Sequence, residues 1–594
     1  MSNSHFVLWA ILIASGFNVG HSEARPKRSS TSALLVAAAP VTLVRSDADL
    51  FAATLAGRFA QGTDNPALAA QAWSRAFLRR PSDADLFRRA LDANLEAGDV
   101  ANAVRLAKLA APNVRNEDGA LVLAIDAFSA GRYSDVTRAL AAHNYQPSQR
   151  VFVDHLAAYA LIGQGKNAAA IELTSRSSGV PALDKMVLMS RALILNQSGR
   201  SAEAGLLFQS ALDSGMSPPL GVRAYGDWLV ANGRTPDAIS MYQRLIKAGG
   251  LEASGFVTAL TQIQTPAGAN SPGDLRAVAT SGLVTIAQGL AAQGRGATST
   301  TLFNLVSYMD ARSDGAAVAL AEQLIAGSRG GQAAPILQRI GSASPEFLAA
   351  RSELAWLTFT TDQAAAVTIA RDTLKARPQS VAAQRLLADI LAANRDDGEA
   401  EALYTVLIDA GHRAGQSNEE IWPLYFGRGG ARERQNKWTG ALSDLRFAKN
   451  AAPNVPNVLN YLGYAMADRG ESLEEALVML RSAARLRPRS GAIQDSLGWA
   501  LFRAGRYEEA VSTLEIAANM APALAEISDH LGDAYWRSGR EDEARMEWAR
   551  TLRLIVTPRQ RDQVTLKIRD GLPALNAPTP TRAVAAQSGS SLVR

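Results

Sequence analysis

Cysteine is missing from all 594 residues. Its absence excludes disulfides, thiolate metal sites, a cysteine nucleophile and a cysteine-anchored lipid, while leaving the compartment open. Histidine is nearly as scarce, with six in the chain: His5, His21, His143, His155, His412 and His530. No two of them share a metal-binding spacing, so no metal site is expected. Charge imbalance is lacking too, since 61 Lys and Arg against 56 Asp and Glu leave a net +5 over the whole length. Without a dense basic cluster interleaved with aromatics, nucleic acid is not an expected partner. What remains is 47% hydrophobic and 20% charged, the balance of a folded protein rather than a disordered one.

The apolar run FVLWAILIASGF at 6–17 is too short to span a bilayer comfortably and has the length of a signal-peptide core. Ser22 and Ala24 supply small residues for a cleavage site, although no Lys or Arg precedes the run. The expectation is cleavage after Ala24 and export to the periplasm, with association at the outer membrane left open.

Self-similarity then organises the chain. Gly463, Gly498 and Gly532 lie 35 and 34 residues apart, and Ala510 and Ala544 follow the last two by twelve residues. Leu514 or Trp548 follows by sixteen, and Pro522 closes the Gly498 copy after twenty-four. The same order runs from Gly429 and, in the N-terminal half, from Gly57 through Ala69, Trp73, Ala76 and Pro81. Further anchors stand at Leu91, Ala124, Ala158, Ala192 and Gly226, at steps of 33 or 34, and others at Leu354 and Ala388. Two weaker copies sit at Ala287 and Leu320.

A period of this length indicates stacked supersecondary units. Small residues at the anchor and twelve places on allow two antiparallel helices to approach, and the bulky residue at sixteen fills the space between repeats. Gly recurs seven residues past the anchor, as at Gly98, Gly131, Gly165, Gly199, Gly233, Gly470, Gly505 and Gly539, where the chain must turn. The boundary Pro ends the second helix. This pattern resembles the tetratricopeptide repeat (TPR). The resemblance implies an all-α fold, a right-handed α-solenoid of about 12–14 helix hairpins that is stable only when stacked.

The organisation expected is a leader at 1–24, a linker at 25–45 and an N-terminal array at 46–250. A loop or hinge at 251–275, containing TPAGANSPGD, is expected to divide two superhelical segments. Weak repeats at 276–345 and a C-terminal array at 346–556 follow. A capping helix at 557–570 and a disordered tail at 571–594 complete the chain.

Chemistry is sparse. GQGKN at 163–167 lacks the first Gly of a phosphate loop, carries Asn where Ser or Thr would bind magnesium, and falls on a repeat turn. No GxSxG elbow or HExxH helix is present. Asp529–His530 is the one acid–histidine pair, but Asp495 and Asn460 hold the place of Asp529 in the two preceding copies. A periodic polar residue is a structural feature, and His530 is assigned no special role. No enzyme and no cofactor is expected.

The TPR resemblance further implies that the first helix of each repeat lines a concave surface. With the anchor as position eight, the inward positions are two, five, nine, twelve and thirteen. In the C-terminal copies these supply Arg434, Asn460, Tyr464, Asp495, Trp499, Phe502, Arg503, Asp529, Asp533, Trp536 and Arg537. Aromatic and Arg side chains of this kind anchor protein or peptide partners. The lysine of the carboxylate-clamp type of TPR site is missing opposite Asn460.

The order NYLGYAMADRGESLEEAL (460–477), DSLGWALFRAGRYEEAV (495–511), DHLGDAYWRSGREDEARMEWAR (529–550) is similar to long exported TPR proteins of Gram-negative bacteria. It also resembles the TPR lipoprotein adaptor of a periplasmic carboxyl-terminal processing protease, although the lipid-anchoring Cys is absent. That resemblance implies a scaffold or adaptor holding a processing protease and its cell-wall hydrolase substrates. Two other roles remain open: a structural organiser of an envelope or polysaccharide-export assembly, and a cytoplasmic TPR adaptor.

Overall fold

The computed structural model describes residues 45–573, apart from 64, 177–180, 216–217, 250–255, 257–258, 261–262, 264–273 and 555–556. The expected leader, nearly all of the linker and loop, and all but the first three tail residues lie outside the described set. Among the described residues there are thirty helices and no strand. In chain order they fall into fourteen helix–turn–helix pairs. One first helix is split into Pro181–Met186 and Leu188–Gln197, and Pro558–Asp570 is left over at the end. The fold class is all-α, and the weak copies after residue 275 form hairpins as complete as the others.

The residue types expected at offsets zero and sixteen pack directly on one another. A Cβ built on Gly57 would meet the Trp73 ring at 2.6 Å, one on Gly498 would meet Leu514 at 2.5 Å, and one on Gly532 would meet Trp548 at 2.5 Å. Trp73 and Trp548 are fully buried as a result, each worth about 1.5–3 kcal/mol of apolar burial or more. Second helices end at Arg79, Ala376, Ala451, Leu486 and Met520, each two residues before a Pro. All eight turn glycines have positive φ, between 72° and 82°. In three other turns Ser328, Arg395 and Asn436 take the left-handed conformation, and Ser472 takes it two residues after Gly470.

The described residues form two compact units, divided between Ile390 and Leu391. The helices on the two sides of the expected loop at 251–275 belong to one of these units. The physical reason lies in the helices that follow the loop. Leu275–Ala292 packs on the first helices Pro147–Gly163, Leu188–Gln197 and Pro219–Ala231, and Gly296–Met309 packs on Ala84–Ala97 and Glu117–Ser129. Gly282 lets the backbone approach closely, since a Cβ there would meet the Tyr159 hydroxyl at 2.0 Å. Asn304 Nδ2 donates to the Leu95 carbonyl at 2.9 Å, and Tyr308 Oη donates to Asp126 at 3.2 Å. The side on which the N-terminal first helices would meet a partner is thus occupied by the chain itself. Leu275–Ala292 is also the one described helix long and apolar enough to cross a membrane.

The second unit contains the hairpins Asn418–Arg434/Trp438–Ala451, Pro456–Arg469/Leu473–Leu486, Gly491–Arg503/Tyr507–Met520 and Ala525–Arg537/Glu541–Leu554. Pro558–Asp570 packs on the last of these.

Candidate functional site

The first helices of the C-terminal unit place chemically similar residues at one height in successive repeats. Position five holds Phe426, Asn460, Asp495 and Asp529, and position six holds Tyr461, Ser496 and His530 in the last three. In two of these steps position six of one repeat touches position five of the repeat before it. Tyr461 meets Phe426 ring to ring at 5.5 Å, and His530 Nδ1 lies 2.9 Å from Asp495 Oδ1.

Around that pair the structure gathers a cluster. The Trp499 ring stacks on His530 at 4.3 Å and on Phe502 at 5.0 Å. Its Nε1 donates to Asp468 Oδ1 at 3.3 Å. Arg503 lies over the same indole, donates to the Asp468 carbonyl and stands 3.6 Å from the Asp468 carboxylate. Burial alone would lower the His530 pKa, but Asp495 more than reverses this and holds it at about 9. Glu526 is pushed up to about 7 by burial; His530 works against this, while Asp495, Asp529 and Asp468 add to it. Burial and then Glu526, Asp468 and Asp495 raise the Tyr464 phenol well above its usual range.

The last rung is already filled. Lys567 Nζ donates to both carboxylates of the rung, at 2.8 and 2.9 Å to Asp529 and at 2.7 and 2.9 Å to Asp533. Trp548 Nε1 also donates to Asp533, at 2.9 Å. Gly571 lies against Trp536, and Arg537 donates to the Pro573 carbonyl at 2.6 Å.

The expected contact residues therefore separate. Tyr464, Trp499, Phe502 and Arg503 line an open, half-buried reach. Asp529, Asp533, Trp536 and Arg537 are engaged by the chain's own terminal segment, which corrects their assignment as open partner contacts. Residues 571–573 belong to that seat and not to a disordered tail. Arg434 is corrected as well: its side chain is only 9% exposed and donates to Asp397, with Nε at 2.9 Å, and to the Ala392 carbonyl at 3.2 Å. Asn460 and Asp495 are buried. Asp495 has His530 as its partner, whereas Asn460 Oδ1 has none.

Three residues of this site were missed or undervalued in the sequence: His530, Glu526 and Lys567. Their signal is the repeat register. Adding 34 to Asp533 lands on Lys567, so the terminal helix occupies the place of a next first helix. Adding 35 to Asp495 lands on His530, just as 35 separates Phe426 from Tyr461. Among the described residues, no group of three or more His, Asp or Glu could hold a metal ion.

The family model described as tetratricopeptide repeat matches residues 155–219, 361–416 and 496–555. In those three segments the chain carries tetratricopeptide repeats. A TPR repeat-containing protein of Pseudomonas aeruginosa is 36% identical over 83 residues, spanning 14% of this chain and 14% of that relative's length. Among solved structures, the APC/C hetero-tetramer Cut9–Hcn1 aligns over 89% of this chain and 97% of its own, at 14% identity and a TM-score of 0.38. Yeast Tom70 aligns over 89% and 96%, at 12% identity and a TM-score of 0.34. In TPR terms, the site is the first-helix face of the four C-terminal hairpins, with its last rung filled from within.

Proposed function

We propose that this TPR chain is a non-enzymatic interaction scaffold, holding a partner protein along the open first-helix face of its C-terminal unit. One observation carries the reading: the half-buried reach from Tyr464 through Trp499, Phe502 and Arg503. Aromatic rings with an Arg beside them, partly desolvated, are the side chains that concentrate binding energy at protein interfaces. The corresponding side of the N-terminal unit has no such room, because Leu275–Ala292 and Gly296–Met309 lie on it.

The leader-like run at 6–17 supports placing the scaffold in the periplasm. The resemblance of 460–550 to a processing-protease adaptor supports a protease and its cell-wall hydrolase substrates as partners. A photo-crosslinking residue in place of Tyr464, in cells, tests the reading. It predicts a discrete crosslinked protein from the envelope fraction that disappears with Trp499→Ala. If Trp499→Ala leaves the product unchanged, the face is not the site. If the product is an outer-membrane export assembly, the protease version fails and the organiser role replaces it. An intact Met1 on the mature protein would move the scaffold to the cytoplasm.

A further inference from the structure

The open reach holds more carboxylate than cation. Asp495 is spent on His530, and Asp468 is shared by Trp499 and Arg503. The Glu526 carboxylate has no hydrogen bond or ion pair among the described residues; His530 alone offsets its burial, and Asp495, Asp529 and Asp468 all stand within electrostatic reach of it. Like charges brought together out of water favour a cation that can join them.

Two further observations point to what that cation is. One is a buried acceptor without a donor: Asn460, 4% exposed, has an Oδ1 with no hydrogen-bond partner. It holds the register place that Asp495 and Asp529 hold in the next two repeats. A buried amide oxygen left unpaired costs free energy that an incoming N–H would recover. The other is the neighbouring rung, where the chain shows what its acids accept. Lys567 inserts there, its ammonium shared by Asp529 and Asp533 through four contacts of 2.7–2.9 Å. The terminal helix sits by this polar grip more than by apolar packing, since Val564 is its one buried side chain. A compact ammonium with three donors suits paired carboxylates, and a long methylene stem can lie along aromatic rings.

We infer that the partner of the C-terminal face presents a lysine-bearing segment, received by Asp468 and Glu526 between the Tyr464 and Trp499 rings. The inference rests on the proposed function and names the chemistry of the partner. Lys567 is then an internal copy of the ligand, seated one rung beyond the place where the partner's lysine goes.

The test uses the full chain and three fluorescein-labelled peptides of equal length, built of Gly, Ala and Leu. They carry three lysines, three norleucines or three glutamates. Fluorescence anisotropy at low salt should show the lysine peptide bound about tenfold or more tightly than either other peptide. Trp499→Ala and the pair Asp468→Asn with Glu526→Gln should each remove that preference. Asp542→Asn, an exposed acid outside the face, should not. Circular dichroism of each variant confirms that it is folded. Equal binding of the norleucine peptide, still lost in Trp499→Ala, overturns the lysine inference while the groove reading stands. Equal loss from Asp542→Asn also overturns it, by showing attraction to surface charge alone. If no peptide responds to Trp499→Ala, the groove reading itself fails.

Discussion

At the scale of single residues, the anchor glycines and His530 have different reasons for being what they are. Gly498 sits inside a helix, where Ala would gain about 1 kcal/mol in helix propensity. Its added Cβ would lie 2.5 Å from a buried atom of Leu514, and overpacking of that kind costs about 1–3 kcal/mol. Gly498→Ala is therefore expected to lower the urea midpoint of the C-terminal unit, and a raised midpoint would show that the hairpin opens freely. His530 acts through charge. Its folded pKa of about 9 stands above the ordinary value of 6.5, so its contribution is complete below pH 6.5 and is lost as pH rises through 9. Glu526, raised to about 7, has the same sign, because ionising it in the folded state is penalised. The unit should lose a few kcal/mol of stability between pH 6.5 and 9.5 in urea titrations. His530→Gln should abolish most of the decline above pH 7, since the loss due to Glu526 falls between its ordinary 4.5 and 7, and an unchanged profile would mean that Asp495 does not hold the imidazolium.

At the scale of elements, the terminal helix Pro558–Asp570 has the register of a first helix but almost none of its apolar face. Removing a lysine from two carboxylates would be severe if the site stayed buried. Here the helix can lift and admit water, so the cost falls on its docking rather than on the hairpins beneath. Lys567→Ala should increase proteolytic cleavage between 555 and 573 about tenfold, with the sites before 525 unaffected. Mass spectrometry of the fragments checks this, and uniform sensitisation along the chain would contradict it. The inner helix Leu275–Ala292 is the opposite case, apolar along its length and held by close approach.

At the scale of the whole molecule, the repeats do not make equivalent surfaces. The N-terminal unit has its first-helix side occupied by helices that arrive after the loop, whereas the C-terminal unit keeps a reach open. A chain ending at residue 249 should therefore expose the faces around Tyr159 and Ser190 and bind anilinonaphthalene sulfonate strongly, while residues 45–390 should not. Similar dye binding by both would show that the later helices add no cover.

Helices, hairpins, turns and boundaries were legible in the sequence because each depends on residues within one period of about 34. Gly498 and Leu514, or Gly505 and its turn, are near neighbours along the chain, and repetition makes their rule visible. The candidate face was legible in part. Trp499 and Arg503 follow from register, while Arg434 was misread because its partner Asp397 lies 37 residues upstream in a repeat of unusual length. His530 was set aside because a pair of adjacent letters was compared with other pairs, when its contact is with Asp495 one repeat away. What only the tertiary structure decided is which faces stay open. Asn304 reaches Leu95 across 209 residues, and no local period records that contact. The sequence by itself determined that this chain stacks helical hairpins. Packing between distant segments decided where the stack is filled from within and where it remains free to hold a partner.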